Sequence, residues 1–170
     1  SGETLVRIAG RGAIPISDVA KLHSDRVKLK AVTVHGDKFV EVDIAHVCRS
    51  TEPKEVMSVI TDLGAELDVT EDHEFAQPPG LPWIAASRLV RGDRLYWPAK
   101  ELWALPQRTG YELDALTGHP VRLVDCQVIG VRRMGRRVFV YDIELASGDA
   151  LIASSLLIRS KAPVRYAVCR

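Results

Sequence analysis

The sequence predicts an all-β fold carrying one or two short helices. Val and Ile gather in short stretches that alternate with polar residues, the period of a half-buried strand. Gly, Pro and Asp interrupt these stretches at intervals too close for long helices. Only one early segment has helical spacing.

Taken in order, Ser17 to Leu22 is that segment, with Ser17 placed to cap it. The strand candidates are Lys28 to Val34, Phe39 to Cys48, Val56 to Asp62, Glu66 to Thr70, Asp93 to Trp97, Arg122 to Arg132, Arg137 to Leu145 and Ala150 to Ile158. Gly36-Asp37 and Leu63-Gly64 read as hairpin turns, and Ala85 to Leu89 as a second short helical turn. The stretch 98–120 shows no period and reads as a long connection, a length usually associated with function or mobility. Arg132-Arg133 and Arg136-Arg137 flank Gly135, which suggests a solvated hairpin tip, with an acidic or nucleic-acid contact as the local alternative.

The chain has 170 residues, one domain's worth. With 46% hydrophobic residues it can fill a core without staples. Its 23 Lys+Arg against 22 Asp+Glu leave a net charge of +1, too little for the broad field on which nonspecific nucleic-acid binders rely. No nucleic-acid partner is expected. Cys48, Cys126 and Cys169 are odd in number and widely spaced, which argues for free thiols in a reducing compartment rather than disulfides or zinc. His23, His35, His46 and His119 have no ligand spacing, so neither metal nor cofactor is expected. Trp83, Tyr96, Trp97 and Trp103 read as core or core-covering aromatics. No apolar run reaches membrane-span length, and the chain reads as a soluble cytoplasmic monomer.

Thr70 and His73 stand three apart at the end of a strand, within Gly64-Ala-Glu-Leu-Asp-Val-Thr-Glu-Asp-His-Glu-Phe75. Alone, such a His is either a hydrogen-bonded structural residue or a proton donor. In the second role, Thr70 and His73 together polarise one backbone amide, and His73 protonates its leaving nitrogen.

The surrounding pattern resembles the inteins and other Hint (Hedgehog/intein) autoprocessing domains. Ser1-Gly-Glu-Thr-Leu-Val6, then Gly12 and Ile14-Pro-Ile-Ser-Asp-Val19, are similar to their first block. Gly64 to Phe75 is similar to the second, whose hallmark is Thr-x-x-His after a Gly-led strand. Pro82-Trp83, Leu89 and Gly92-Asp93-Arg94-Leu95 resemble the adjoining segment. Val140-Tyr-Asp-Ile-Glu-Leu145 and Leu151-Ile-Ala-Ser-Ser-Leu-Leu-Ile158 resemble the closing strands. The resemblance covers about 1–97 and 126–160.

It implies a horseshoe of curved strands with two pseudo-symmetric halves, a single splicing domain over 1–170. The connection at 98–120 stands where relatives carry a homing endonuclease, for which about two dozen residues are far too few. Residues 161–170 are an extra strand or downstream flank. It also implies action on the chain's own flanking segments, the exteins: an N-to-O or N-to-S acyl shift at the N-terminal junction, leading to splicing or cleavage. Carried over by position, Thr70 and His73 strain and protonate the scissile amide, and Asp142 positions the nucleophile. Ser1 is the candidate nucleophile of a shortened block, although the family's usual position falls two residues earlier.

The C-terminal half departs from the pattern. The family's closing His-Asn pair falls at Arg159-Ser160, and neither residue can cyclise as Asn does. Asp149 replaces a His expected before the next strand. Asp149 and Ser160 are therefore the candidates for any remaining C-terminal chemistry. Two other readings stay open: a Hint fold kept as an inert or partner-binding β-domain, and an unrelated β-rich enzyme with His73 as general base beside Asp72, Glu74 or Asp142.

Overall fold

The computed structural model describes residues 2–35, 38–78, 83–98, 123–148, 150–154 and 156–159. Among these, the chain begins with a hairpin, β1 (Leu5–Ile8) and β2 (Gly12–Pro15), which leads into α1 (Ile16–Ser24). Strands β3 (Lys30–His35), β4 (Lys38–Arg49), β5 (Lys54–Thr61) and β6 (Glu66–Val69) follow. Two short strands, β7 (Glu74–Phe75) and β8 (Ile84–Ala85), precede a turn of 3-10 helix over Ala86–Arg88. The rest is β9 (Arg94–Pro98), β10 (Leu123–Val138), β11 (Tyr141–Leu145), β12 (Ala150–Ala153) and β13 (Leu156–Arg159).

The strands form two antiparallel sheets. The larger runs β11-β4-β3-β1-β12-β13-β7-β8, with β2 on β1, and the smaller runs β6-β5-β10-β9. One apolar core joins them: Val6 and Ile8 of β1, Val59 of β5, Leu67 and Val69 of β6, Phe75 of β7, Leu95 of β9 and Leu156 of β13 pack together with little or no exposure. A smaller cluster of Val32, Phe39, Ala76 and Ile152 is covered by the half-buried rings of Trp83 and Tyr96, as expected for core-covering aromatics.

Strands β3, β4, β5, β6 and β9 lie within two residues of the expected spans. His35 pairs with Lys38 across the first expected turn, and Gly64 forms the second with φ +84°. Five features of the structure depart from these expectations. Ser17 does not cap α1; the helix starts after Pro15, and its first N–H groups are taken by the opening of the chain, Ile16 donating to the Thr4 carbonyl at 2.8 Å and Ser17 to that of Gly2 at 3.2 Å. Backbone acceptors thus satisfy donors that a side chain would otherwise cap.

Gly135 is not a hairpin tip. Strand β10 runs through it, pairing with β5 on both sides, and the register shift between Arg133 and Arg137 marks a bulge that Gly135 accommodates at φ +63°. Chain reversal comes later, so the expected Arg137 to Leu145 strand divides at Phe139-Val140. The expected Ala150 to Ile158 strand is likewise a hairpin, β12 paired with β13, turning beyond Ser154 at φ +43°. Finally, β1, β2, β7 and β8 are strands the sequence reading left out. Pro98 pairs with Leu123, so the two ends of the long connection meet, while residues 99–122 lie outside the described residues.

Candidate functional site

The turn between β6 and β7 carries Thr70 and His73, and its shape is fixed by backbone bonds. The His73 N–H donates to the Thr70 carbonyl at 3.1 Å, closing the turn. The His73 and Glu71 carbonyls accept from Ala86 and Ser87 of the 3-10 turn at 2.8 and 2.9 Å. Because Ala86 is fully buried, this clamp ties the turn to the core. The alternation of β6 does the rest: Leu67 and Val69 point into the core and deliver the chain to Thr70 at its rim.

His73 packs edge-to-face on the buried Phe75 ring, with centroids 6.0 Å apart. The residue is half-buried, yet its Nε2 is sealed from solvent and has no hydrogen-bond partner among the described residues. Burial pushes its protonation below the ordinary histidine range; Asp142 and Asp72 pull the other way without winning. The imidazole is therefore neutral at pH 7, free to take up a proton and pass it on. The Thr70 hydroxyl donates to the Asp72 carboxylate, holding Asp72 below its usual range.

A small cavity of about 60 Å³ lies against these groups, room for a water or two by volume. Thr70 and His73 line it from the turn, Asp142 and Tyr141 from β11, and Thr4 from the start of the chain. Asp142 reaches it from β11, which among the described residues pairs with β4 alone and sets Asp142 opposite Cys48. Gly2 passes close to the Tyr141 ring, where an added Cβ would stand 3.4 Å from a ring carbon. Thus three sequence candidates, Thr70, His73 and Asp142, share one cavity with the opening segment. Ser1, Asp149 and Ser160 lie outside the described residues.

Arg159, read from sequence only as a replacement, also lines this cavity. Its Nη1 donates to Glu74 Oε2 at 2.6 Å, and its guanidinium lies 5.8 Å from the centre of the Trp83 ring, within cation–π range. Glu74 is therefore engaged elsewhere and is not the partner of a general-base His73. The signal that would have found this pair is pairing register: Ile158 sits opposite Phe75, which brings the neighbours Arg159 and Glu74 together.

The remaining candidates are not among the residues lining the cavity. His23 and His46 meet edge-to-face at 6.0 Å between α1 and β4, and no group of three His, Cys, Asp or Glu among the described residues is arranged to hold a metal. Arg132, Arg133 and Arg136 lie within 4 Å of Glu66, Glu71 and Asp68. Cys126 is buried, its thiol pushed up to about 12 mainly by desolvation. No helix among the described residues is long and apolar enough to cross a membrane.

No family model and no curated protein matches the sequence. Solved structures do. A variant of the Ssp DnaB mini-intein aligns with TM-score 0.70 at 19% identity, covering 95% of this chain and 93% of that one. The transcription factor IIB Mvu mini-intein gives 0.67 at 13%, covering 94% and 97%. The DnaX mini-intein from Spirulina platensis gives 0.67 at 17%, covering 94% and 98%. The fold is thus the Hint fold in its minimal form, without a homing endonuclease, as the sequence motifs imply.

Proposed function

We propose that this chain is an intein-like self-processing domain that rearranges the peptide bond at its own N-terminal junction. The observation that carries this reading is a neutral, sealed imidazole, His73, sharing a cavity with Thr70, Asp142 and the opening segment of the chain. An unpartnered buried nitrogen costs about 1–3 kcal/mol to maintain. Such a group is worth keeping where a reacting atom completes its bonding.

In the proposed step, the hydroxyl or thiol at the junction, with Ser1 as the sequence candidate, attacks the carbonyl carbon of the preceding residue. A C–O or C–S bond forms, and the C–N bond to the junction residue breaks. His73, neutral beforehand, takes the proton of the attacking nucleophile and hands it to the departing nitrogen, so the amine ends with the proton the nucleophile lost. Thr70, through Asp72, fixes the turn that aims His73, and Asp142 assists the nucleophile as a nearby base. The ester or thioester then passes to water, an added nucleophile or a second residue. Ser160 offers no carboxamide for the Asn-type release step, so N-terminal cleavage is the primary outcome expected.

A second reading, a Hint fold that has kept its shape and lost its chemistry, is favoured by Arg159 being engaged by Glu74 and Trp83 where relatives place a titratable His. Intact mass over time separates the two. The domain, expressed inside its native flanking sequence, loses the upstream segment, faster with added thiol, if the first reading holds. An unchanged mass in every condition establishes the second.

A further inference from the structure

Acyl transfer needs more than a proton for the leaving nitrogen. Negative charge gathers on the carbonyl oxygen as the nucleophile adds, and a cavity that accelerates this must meet that charge with a fixed donor. His73, being neutral and assigned to the nitrogen, does not supply it. Two other charged groups on the cavity wall, Asp68 and Asp142, have the wrong sign. Among the described lining residues, Arg159 is the one permanent cation.

Arg159 is also held in place. Its Nη1 is bonded to Glu74 at 2.6 Å, and the guanidinium is held near the face of Trp83. Both anchors belong to the β7–β8 region that follows His73, and β13 pairs with β7 next to Arg159. A guanidinium has five N–H donors, so the bond to Glu74 leaves several available. Fixing the group before reaction removes the reorganisation that a mobile cation would cost.

We infer that Arg159 is the oxyanion donor of the acyl shift, a binding site for the carbonyl oxygen of the scissile peptide built from Arg159, Glu74 and Trp83. This rests on the self-processing reading above. It gives Arg159 a role in N-terminal chemistry, where the sequence alone marks only a loss at the C-terminal end.

The test compares N-terminal cleavage by precursors in native flanks carrying Arg159→Gln, Arg159→Lys and Glu74→Gln, with and without free guanidinium ion at non-denaturing concentration. Arg159→Gln should cleave about 100- to 1,000-fold more slowly and recover part of its rate with guanidinium. Arg159→Lys, which keeps charge but not the planar fork, should fall in between, and Glu74→Gln should lose less than Arg159→Gln. Should Arg159→Gln fold poorly, the ordering of the Lys variant and its guanidinium response decide the matter. Arg159→Gln or Arg159→Lys cleaving at the wild-type rate, or equal losses in all three variants with no guanidinium response, overturns the inference while leaving self-processing intact. A wild-type precursor that never cleaves overturns both.

Discussion

Replacing His73 by Ala separates its chemical role from its structural one, because the structure makes the two effects very different in size. A positioned general acid contributes about 10²–10⁴ in rate, or about 3–5 kcal/mol of barrier. The stability cost is a difference of two terms. Truncating a half-buried ring that packs on Phe75 costs about 2 kcal/mol. Removing an Nε2 sealed without a partner returns about 1–3 kcal/mol. The terms nearly cancel, so the net change should stay within about 1–2 kcal/mol. At about 2–4 °C per kcal/mol for a chain of this size, the melting temperature should move by less than about 8 °C. Intact mass of the precursor gives the rate, and thermal denaturation followed by circular dichroism gives the stability. A variant cleaving at the wild-type rate removes His73 from the mechanism, and one destabilised by much more than this refutes the cancellation.

Burial lowers the His73 pKa below its unfolded value of 6.5, so above pH 6.5 both states hold it neutral; below that only the unfolded chain gains the proton, and stability falls on acidification until the folded pKa is reached. Melting temperatures across pH 7 to 5 should show this decline, and His73→Gln should flatten it; an unaltered slope in the variant sinks the assignment. Thr70→Val removes the donor to Asp72 and should raise the Asp72 pKa, measurable by NMR titration, with a slower cleavage rate as the turn loosens; an unmoved Asp72 titration contradicts the bond. Cys126, buried with its thiol pushed up to about 12, should resist alkylation in the folded protein and react on unfolding, whereas fast native labelling at Cys126 would show the β9–β10 packing to be wrong. Gly135→Ala should cost about 1–2 kcal/mol in denaturant titrations, from backbone strain alone, since nothing lies within 4 Å of an added Cβ; a neutral substitution contradicts the bulge.

The strands with clear apolar alternation, β3 to β6 and β9, were legible because burial on one face writes a period into the sequence. Turns were legible where glycine marked them and misleading elsewhere. Gly135 serves a bulge inside β10, which short-range pattern cannot tell from a hairpin, since both call for positive φ. The β12–β13 turn has the reverse problem: Ser154 adopts positive φ without the residue type that advertises it. Strands β7 and β8 have two residues each, too few to show any period. At the site, Thr70 and His73 stood out because a local turn joins them. Asp142 needed the resemblance to be found. The Arg159–Glu74 pair is separated by most of the chain and becomes visible only through the pairing of β13 with β7.

If the junction peptide bond becomes an ester or thioester before it breaks, hydroxylamine reads this directly. Precursor in native flanks is incubated with hydroxylamine at neutral pH, and the released upstream segment is analysed by mass spectrometry. An acyl shift leaves the released upstream segment with a hydroxamate on its C-terminal residue, the one preceding the junction nucleophile, formed by wild type and strongly reduced in His73→Ala. A released segment ending only in a carboxylate, at a rate indifferent to hydroxylamine, or no release at all, would contradict it.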